Sequence, residues 1–374
     1  MEVLPRIGAV IVCTQWQGIG HKSRREGEYC MRSFGFKVLL LVLFVSFLCV
    51  FGEISAHAQK KEAQIRIAVE FVDHAASAHI ARHKKWFESE GLHVAAFNNY
   101  ITGMALASAL HKGSVDAAYI CMIPAISAYA NGRVPLKVVC GTHTYGYGLI
   151  SDSDKVKNIQ DLEKENVSIG CPREGSPVDA LMHKVIDRYK LNKDKVLKNI
   201  RRMPPPMILL ALKTGQLDAG FCCEQFPTMG ERLGFQEIIK AQDVWPDMQG
   251  SVLIVTDKLI QERPEAVRKL VRVTQRGIQY IHDYPEDAAR ICAQELTGAG
   301  KEIFPLDIGG ISTKLDITPE VILRSLTKKM TCTTKVQPEI IQEEIDHMAE
   351  LGYIKDAFGA QEILDLSFLR SLEQ

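Results

Sequence analysis

The sequence predicts an α/β chain built from two similar lobes, and two observations predict it. A short stretch occurs twice: Leu110-His111-Lys112-Gly113-Ser114-Val115-Asp116-Ala117-Ala118-Tyr119 returns as Leu212-Lys213-Thr214-Gly215-Gln216-Leu217-Asp218-Ala219-Gly220-Phe221, with Ala109 matched by Ala211. Each copy reads as an apolar helix that stops at a glycine able to take the left-handed C′ conformation. A tight turn follows, whose Asp can hydrogen-bond its own backbone, and then a short apolar strand, 117–121 or 219–223. A single copy would be an ordinary helix-to-strand connector; two in register with matching flanks indicate repeated lobes. The second observation is rhythm. Strand-like and helix-like runs alternate in both halves, the pattern of sheets with crossover connections.

Taken in order, residues 64–69 alternate as a strand, and Glu70-Phe71-Val72-Asp73-His74 leads into a helix through Ala81, Trp86 and Phe87 that stops at Gly91. Residues 93–97 form a second strand, and Thr102-Gly103 opens the helix of the first repeat. A helix over 124–131 has Pro near its start and Gly132 beyond its end, as capping preferences favour. After a strand at 136–140 comes the Gly-rich run 141–148. The rhythm then restarts: strand 167–171, helix 176–189, strand 200–203, a helix begun by Pro204-Pro205-Pro206, and strands 237–240 and 250–255. From Asp257 the chain reads as helical over 264–283, 285–296, 318–329 and 337–351.

Composition is that of a soluble globular chain of 374 residues, 46% hydrophobic and 24% charged. Lys+Arg and Asp+Glu balance at 45 each, which gives no support for nucleic acid as a partner. Arg32 and Lys37 precede an apolar run from Val38 to Phe51, and Ala56-His57-Ala58 gives a small-x-small pattern. These are the parts of a secretory signal peptide, expected over 31–58 with cleavage after Ala58. Met31 is the expected start, with 1–30 upstream of the translated chain. The ten cysteines include Cys13, Cys30 and Cys49 before the cut, leaving seven without framework spacing; they do not suggest a disulfide scaffold.

The ordered features resemble the exported solute-binding proteins of ABC importers in the nitrate/sulfonate/taurine group (NMT1/THI5-like). They are Ala78-His79-Ile80-Ala81, Trp86-Phe87-x-x-x-Gly91-Leu92-x-Val94, the two repeats, Ile169-Gly170-x-Pro172-x-x-Gly175-Ser176, Arg263-Pro264-Glu265-x-Val267 and Leu364-Asp365-x-Ser367-Phe368-Leu369. The resemblance implies a type II periplasmic-binding fold with two hinge crossings and ligand held between the lobes. Lobe one would comprise 59–147 and 248–374, lobe two 148–247. It also implies a periplasmic monomer whose partners are a small molecule and an ABC permease and ATPase complex.

Ligands of open α/β sheets bind beyond the carboxyl ends of strands, where helix N-termini offer N–H groups to anions. The candidate walls of lobe one are Phe71, Asp73, His74, Thr102, Gly103, Cys121 and Met122. Those of lobe two are Gly175, Ser176, Met203, Glu224 and Gln225, with His143 and Tyr145 at the first crossing. Thr102-Gly103 and Gly175-Ser176 would suit a sulfonate or carboxylate, or serve as plain N-caps. Asp73 and Glu224, if both face the cleft, would instead favour an amine or heterocycle.

Rival chemistries fit the residues less well. His79 and His83 at i, i+4 could be a metal pair, but a solvated helix face fits better; no metal or other cofactor is expected. Cys222-Cys223 is shorter than the Cys-rich stretch of pyrimidine-precursor synthases, leaving pyrimidine-precursor binding as the alternative and synthase chemistry behind it. Gly175-Ser176 lacks a nucleophile elbow. A sensor input domain lacks a signalling module after Phe368. No catalytic residue is expected.

Overall fold

The computed structural model describes residues 64–304 and 316–372. The expected start at Met31, the 31–58 leader with its cut after Ala58, and Cys13, Cys30 and Cys49 lie outside the described residues. The strands are β1 Gln64–Glu70, β2 His93–Tyr100, β3 Ala117–Cys121, β4 Leu136–Gly141, β5 His143–Tyr145, β6 Tyr147–Ser151, β7 Ile169–Cys171, β8 Ile200–Arg202, β9 Ala219–Cys223, β10 Gln236–Lys240, β11 Ser251–Thr256 and β12 Met330–Cys332. Helices alternate with them, so the chain is mixed α/β as the sequence predicts.

Ten of these strands form two sheets with one layout, β2-β1-β3-β11-β4 and, read from the opposite edge, β8-β7-β9-β6-β10. In each, the first three run parallel. The fourth strand, β11 or β6, runs antiparallel to both its neighbours. The fourth strand is also where the chain changes sheet: β6 is entered directly from the first sheet, and β11 returns after the second is complete.

The two crossings lie side by side. Tyr145 N–H donates to the Met248 carbonyl and Gly250 N–H to that of His143, each at 3.1 Å. The Gln249 carboxamide donates to the carbonyls of His143 at 3.0 Å and Ser251 at 3.2 Å. Only glycine fits at 250, since a Cβ would lie 2.1 Å from the His143 ring.

The repeated stretch ends each helix in the same motif. Gly113 and Gly215 have φ of +67° and +70°. Gly113 and Ser114 donate back to Leu110 and Ala109, and Gly215 and Gln216 to Leu212 and Ala211, the paired bonds of a Schellman motif. The aspartates depart from expectation. Asp116 accepts from Arg66 N–H at 2.9 Å and Asp218 from Ser168 N–H at 2.8 Å, each 50 residues earlier in the chain. These donors stand near the start of the adjacent parallel strand, where the ladder leaves an N–H to be satisfied; that need outcompetes a local turn. Arg66 and Lys155 complete the two arrangements as ion pairs at 2.7 Å.

Other elements differ in extent. The helix expected to run to Gly91 breaks at Lys85, where φ is +56°, into Ala76–His83 and Trp86–Ser89. Trp86 and Phe87 open the second, shorter helix, and both are buried. The Gly-rich run 141–148 carries β5 and enters β6. The helix expected at 285–296 continues to Ile303, and that at 318–329 closes as Pro319–Arg324 followed by a π turn, Ser325–Lys329. After that turn the three-residue β12 pairs with β5.

Candidate functional site

The carboxyl ends of β1, β3 and β9 and the first crossing meet in a buried polar cluster. His74 shares a 3.1 Å hydrogen bond with the Gly146 carbonyl, which also accepts from Glu224 N–H at 2.8 Å. One crossing residue thereby ties the end of β1 to the end of β9.

Glu70 closes β1, and its carboxylate accepts from Cys121 N–H at 2.6 Å, with the Cys121 thiol at 3.5 Å. The Gly103 N–H also favours its ionised form. A Cβ at 103 would sit 2.7 Å from the Glu70 carboxylate, so glycine is what lets the acid reach the start of helix Gly103–His111. Burial nevertheless pushes Glu70 up to about 7. The Thr102 hydroxyl accepts from Ala105 N–H at 3.2 Å. Of the two readings the sequence offers for this helix start, an anion site or a plain N-cap, Thr102 is the N-cap, and the protein's own Glu70 lies where an anion would sit.

The second such terminus is filled in the same way. Ser176 Oγ accepts from Asp179 N–H at 3.3 Å, and Gly175 N–H donates to Asp179 Oδ2 at 3.1 Å. Asp179 is fully buried and is held further by Arg202 and Tyr353.

Asp73 is 0% exposed, and neither carboxylate oxygen has a hydrogen-bond partner. Ser325 lies beside it outside hydrogen-bond geometry, and its hydroxyl is likewise unpartnered. Burial pushes Asp73 up to about 7. Glu224 is 1% exposed and accepts from the Thr228 hydroxyl at 2.7 Å and Thr228 N–H at 3.3 Å. Burial, then the negative charge of nearby Asp73, pushes it up to about 8. The Gln225 carboxamide and the Tyr147 hydroxyl are buried with no partner.

The rings of His74 and His143 pack at a tilt of 51° with centroids 4.1 Å apart. Burial drives both pKa values down, His143 to about 4 and His74 well below its ordinary value, the latter also through neighbouring His143. Neutral His74 donates from Nε2 to Gly146, leaving Nδ1 to face the Cys121 thiol at 3.6 Å. Burial raises the Cys121 and Cys223 thiols well above 9, so neither is an activated thiolate.

Of the candidates, Asp73, His74, Cys121, His143, Glu224 and Gln225 come together. Phe71 packs edge-on against Phe304 at 6.1 Å. Met122 is buried at a helix start, while Met203 and Tyr145 are half-buried. Thr102, Gly103, Gly175 and Ser176 serve the two carboxylates just described. His79 is fully buried, its ring tilted against Phe97, so the expected solvated face does not hold for it, whereas His83 pairs with Glu295; the two do not converge. The seven described cysteines are unpaired and buried. Tyr147, near the first crossing, and Cys223, at the end of the second repeat's strand, are placed by the sequence, whereas Glu70, Ser325 and Lys329 are not singled out by it. Glu70 could have been found as the acid ending a strand, but nothing local marks Ser325 or Lys329.

A family model described as NMT1-like matches residues 58–297. The chain belongs to the NMT1-like family. It is 26% identical over 221 residues to a protein of Brucella abortus (strain 2308) named only as a binding protein; the match covers 58% of this chain and 66% of that one. Solved structures share its fold. The alkanesulfonate-binding protein SsuA of Xanthomonas axonopodis pv. citri, bound to MOPS, gives a TM-score of 0.65 at 14% identity, covering 81% of this chain and 98% of its own. The periplasmic nitrate-binding protein NrtA of Synechocystis PCC 6803 gives 0.65 at 12% identity, covering 83% and 88%. This NMT1-like chain thus has the periplasmic-binding-protein fold, with its polar cluster where both sheets present their carboxyl ends.

Proposed function

We propose that this NMT1-like chain is an exported solute-binding protein that closes two lobes on a small organic molecule and delivers it to an ABC permease. Lobe one is 59–147 with 248–374, lobe two is 148–247, and residues 143–147 with 248–251 form the hinge. The observation that carries this reading is the sealed polar cluster, to which both sheets and a crossing contribute. Asp73, Tyr147 and Gln225 keep buried polar groups unpartnered there, and such groups are normally satisfied. Closure on a ligand that touches both lobes is a hinge motion biased by those contacts. The fold shared with sulfonate- and nitrate-binding proteins, family membership and the predicted leader supply further support.

The test is a thermal-shift screen of the protein beginning at Gln59, with sulfonates, nitrate, aminopyrimidines and aromatic carboxylates. Small-angle scattering on any hit follows. Stabilisation with contraction of the particle is expected. No stabilisation by any compound, together with turnover of one, contradicts the reading.

A further inference from the structure

We infer that the solute carries a protonated nitrogen with N–H donors, an amine or amidine, clamped between Asp73 of one lobe and Glu224 of the other. This rests on the solute-binding reading and names the chemistry of that same site. Three buried carboxylates, Glu70, Asp73 and Glu224, stand at the strand ends. Among the described residues none of them has an ion pair. The buried cation that acts on Glu224 is Lys329, and it is held by Glu231 at 3.0 Å and by Glu237. Both helix N-termini able to cradle an oxyanion are filled, by Glu70 and by Asp179. An anionic solute would oppose ionisation of three acids that burial already raises, whereas a cation lets them ionise in a dry interior.

The independent observation is the pattern of unmet hydrogen-bonding capacity. Both Asp73 oxygens lack donors, and the fully buried Gln225 carboxamide beside Glu224 is unpartnered. His74, next to Asp73, and Glu224 N–H both bond the Gly146 carbonyl, at 3.1 and 2.8 Å, so the two acids stand at one junction, where the charge of Asp73 acts on Glu224 and Cys223. A multivalent N–H donor between the acids answers both deficits. It supplies the donors that Asp73 lacks and the positive charge that two carboxylates need in order to share one enclosure. Because the acids follow β1 and β9, it also bridges the two lobes.

The experiment is isothermal calorimetry on the protein beginning at Gln59, with benzamidine and 1,4-diaminobutane as cationic probes and ethanesulfonate and nitrate as anionic ones. Variants Asp73→Asn and Glu224→Gln keep side-chain shape, and circular dichroism verifies their folding. Expected is binding of at least one cationic probe, weakened about 10- to 100-fold in each variant, the loss of a charge-assisted hydrogen bond. Binding of an oxyanion that Asp73→Asn leaves unchanged or tightens overturns this inference but leaves the solute-binding reading standing. Cation binding that neither variant weakens overturns it too. Heat from none of the four probes counts against the charge class, and only the wider screen described above decides the binding reading.

Discussion

On the proposed two-lobe reading, Asp73 and Glu224 make closure sensitive to pH in the absence of ligand. In an open, hydrated cleft Asp73 and Glu224 return to their ordinary values, 3.8 and 4.5; in the closed form they stand at about 7 and about 8. Between those limits the closed form binds protons that the open form does not. Closure therefore takes up protons, and raising the pH opposes it. At about 1.4 kcal/mol per pH unit, Asp73 alone withdraws about 4 kcal/mol from the closed form once the pH exceeds 7. Open and closed conformers commonly differ by only a few kcal/mol, so this suffices to reverse the balance. Small-angle scattering of ligand-free protein at pH 5.5 and 8.5 measures the effect. A compact particle at the lower pH and an expanded one at the higher is expected, and Asp73→Asn combined with Glu224→Gln should remain compact at both. Identical profiles at the two pH values for the wild type would refute the reasoning.

Further predictions follow from individual contacts. Lys329→Met leaves the 4%-exposed Glu237 side chain without its cation, while Glu231 keeps Arg324; removing one partner of a buried pair costs about 3–5 kcal/mol, readable by urea denaturation. Asp116→Asn and Asp218→Asn each weaken the acceptor for a strand-start N–H. Each should cost about 1–2 kcal/mol in the same assay while ligand affinity, by calorimetry, is unchanged. Gly103→Ala places a Cβ 2.7 Å from both Glu70 and Pro124. Overpacking of about 1–3 kcal/mol should appear as a lowered melting temperature, accompanied by weaker ligand binding as Glu70 shifts.

The two similar sheets were legible because their evidence is local: Gly113 and Gly215 end helices through bonds spanning a few residues, and β3 and β9 follow at once. Asp73 and Glu224 were legible for a related reason, since Glu224 directly follows β9 and Asp73 comes three residues after the end of β1. The fate of the helix N-termini was not. Sequence shows that Thr102-Gly103 and Gly175-Ser176 begin helices, but it does not show that Glu70 and Asp179 reach them first. Placing Glu70 there requires the pairing of β1 with β3, a contact between residues far apart in the chain. The aspartates of the repeat were mistaken for local-turn formers for the same reason, because their donors lie on the neighbouring strand. Ser325 and Lys329 arrive from the C-terminal helices through a π turn that carries no periodic signature.

Hydrogen exchange in the presence and absence of a bound solute tests the central claim most directly, because it asks whether both lobes hold the ligand. The account predicts simultaneous protection of residues 70–74 and 121–122 on the first sheet and 223–225 on the second. Protection confined to one sheet would contradict it.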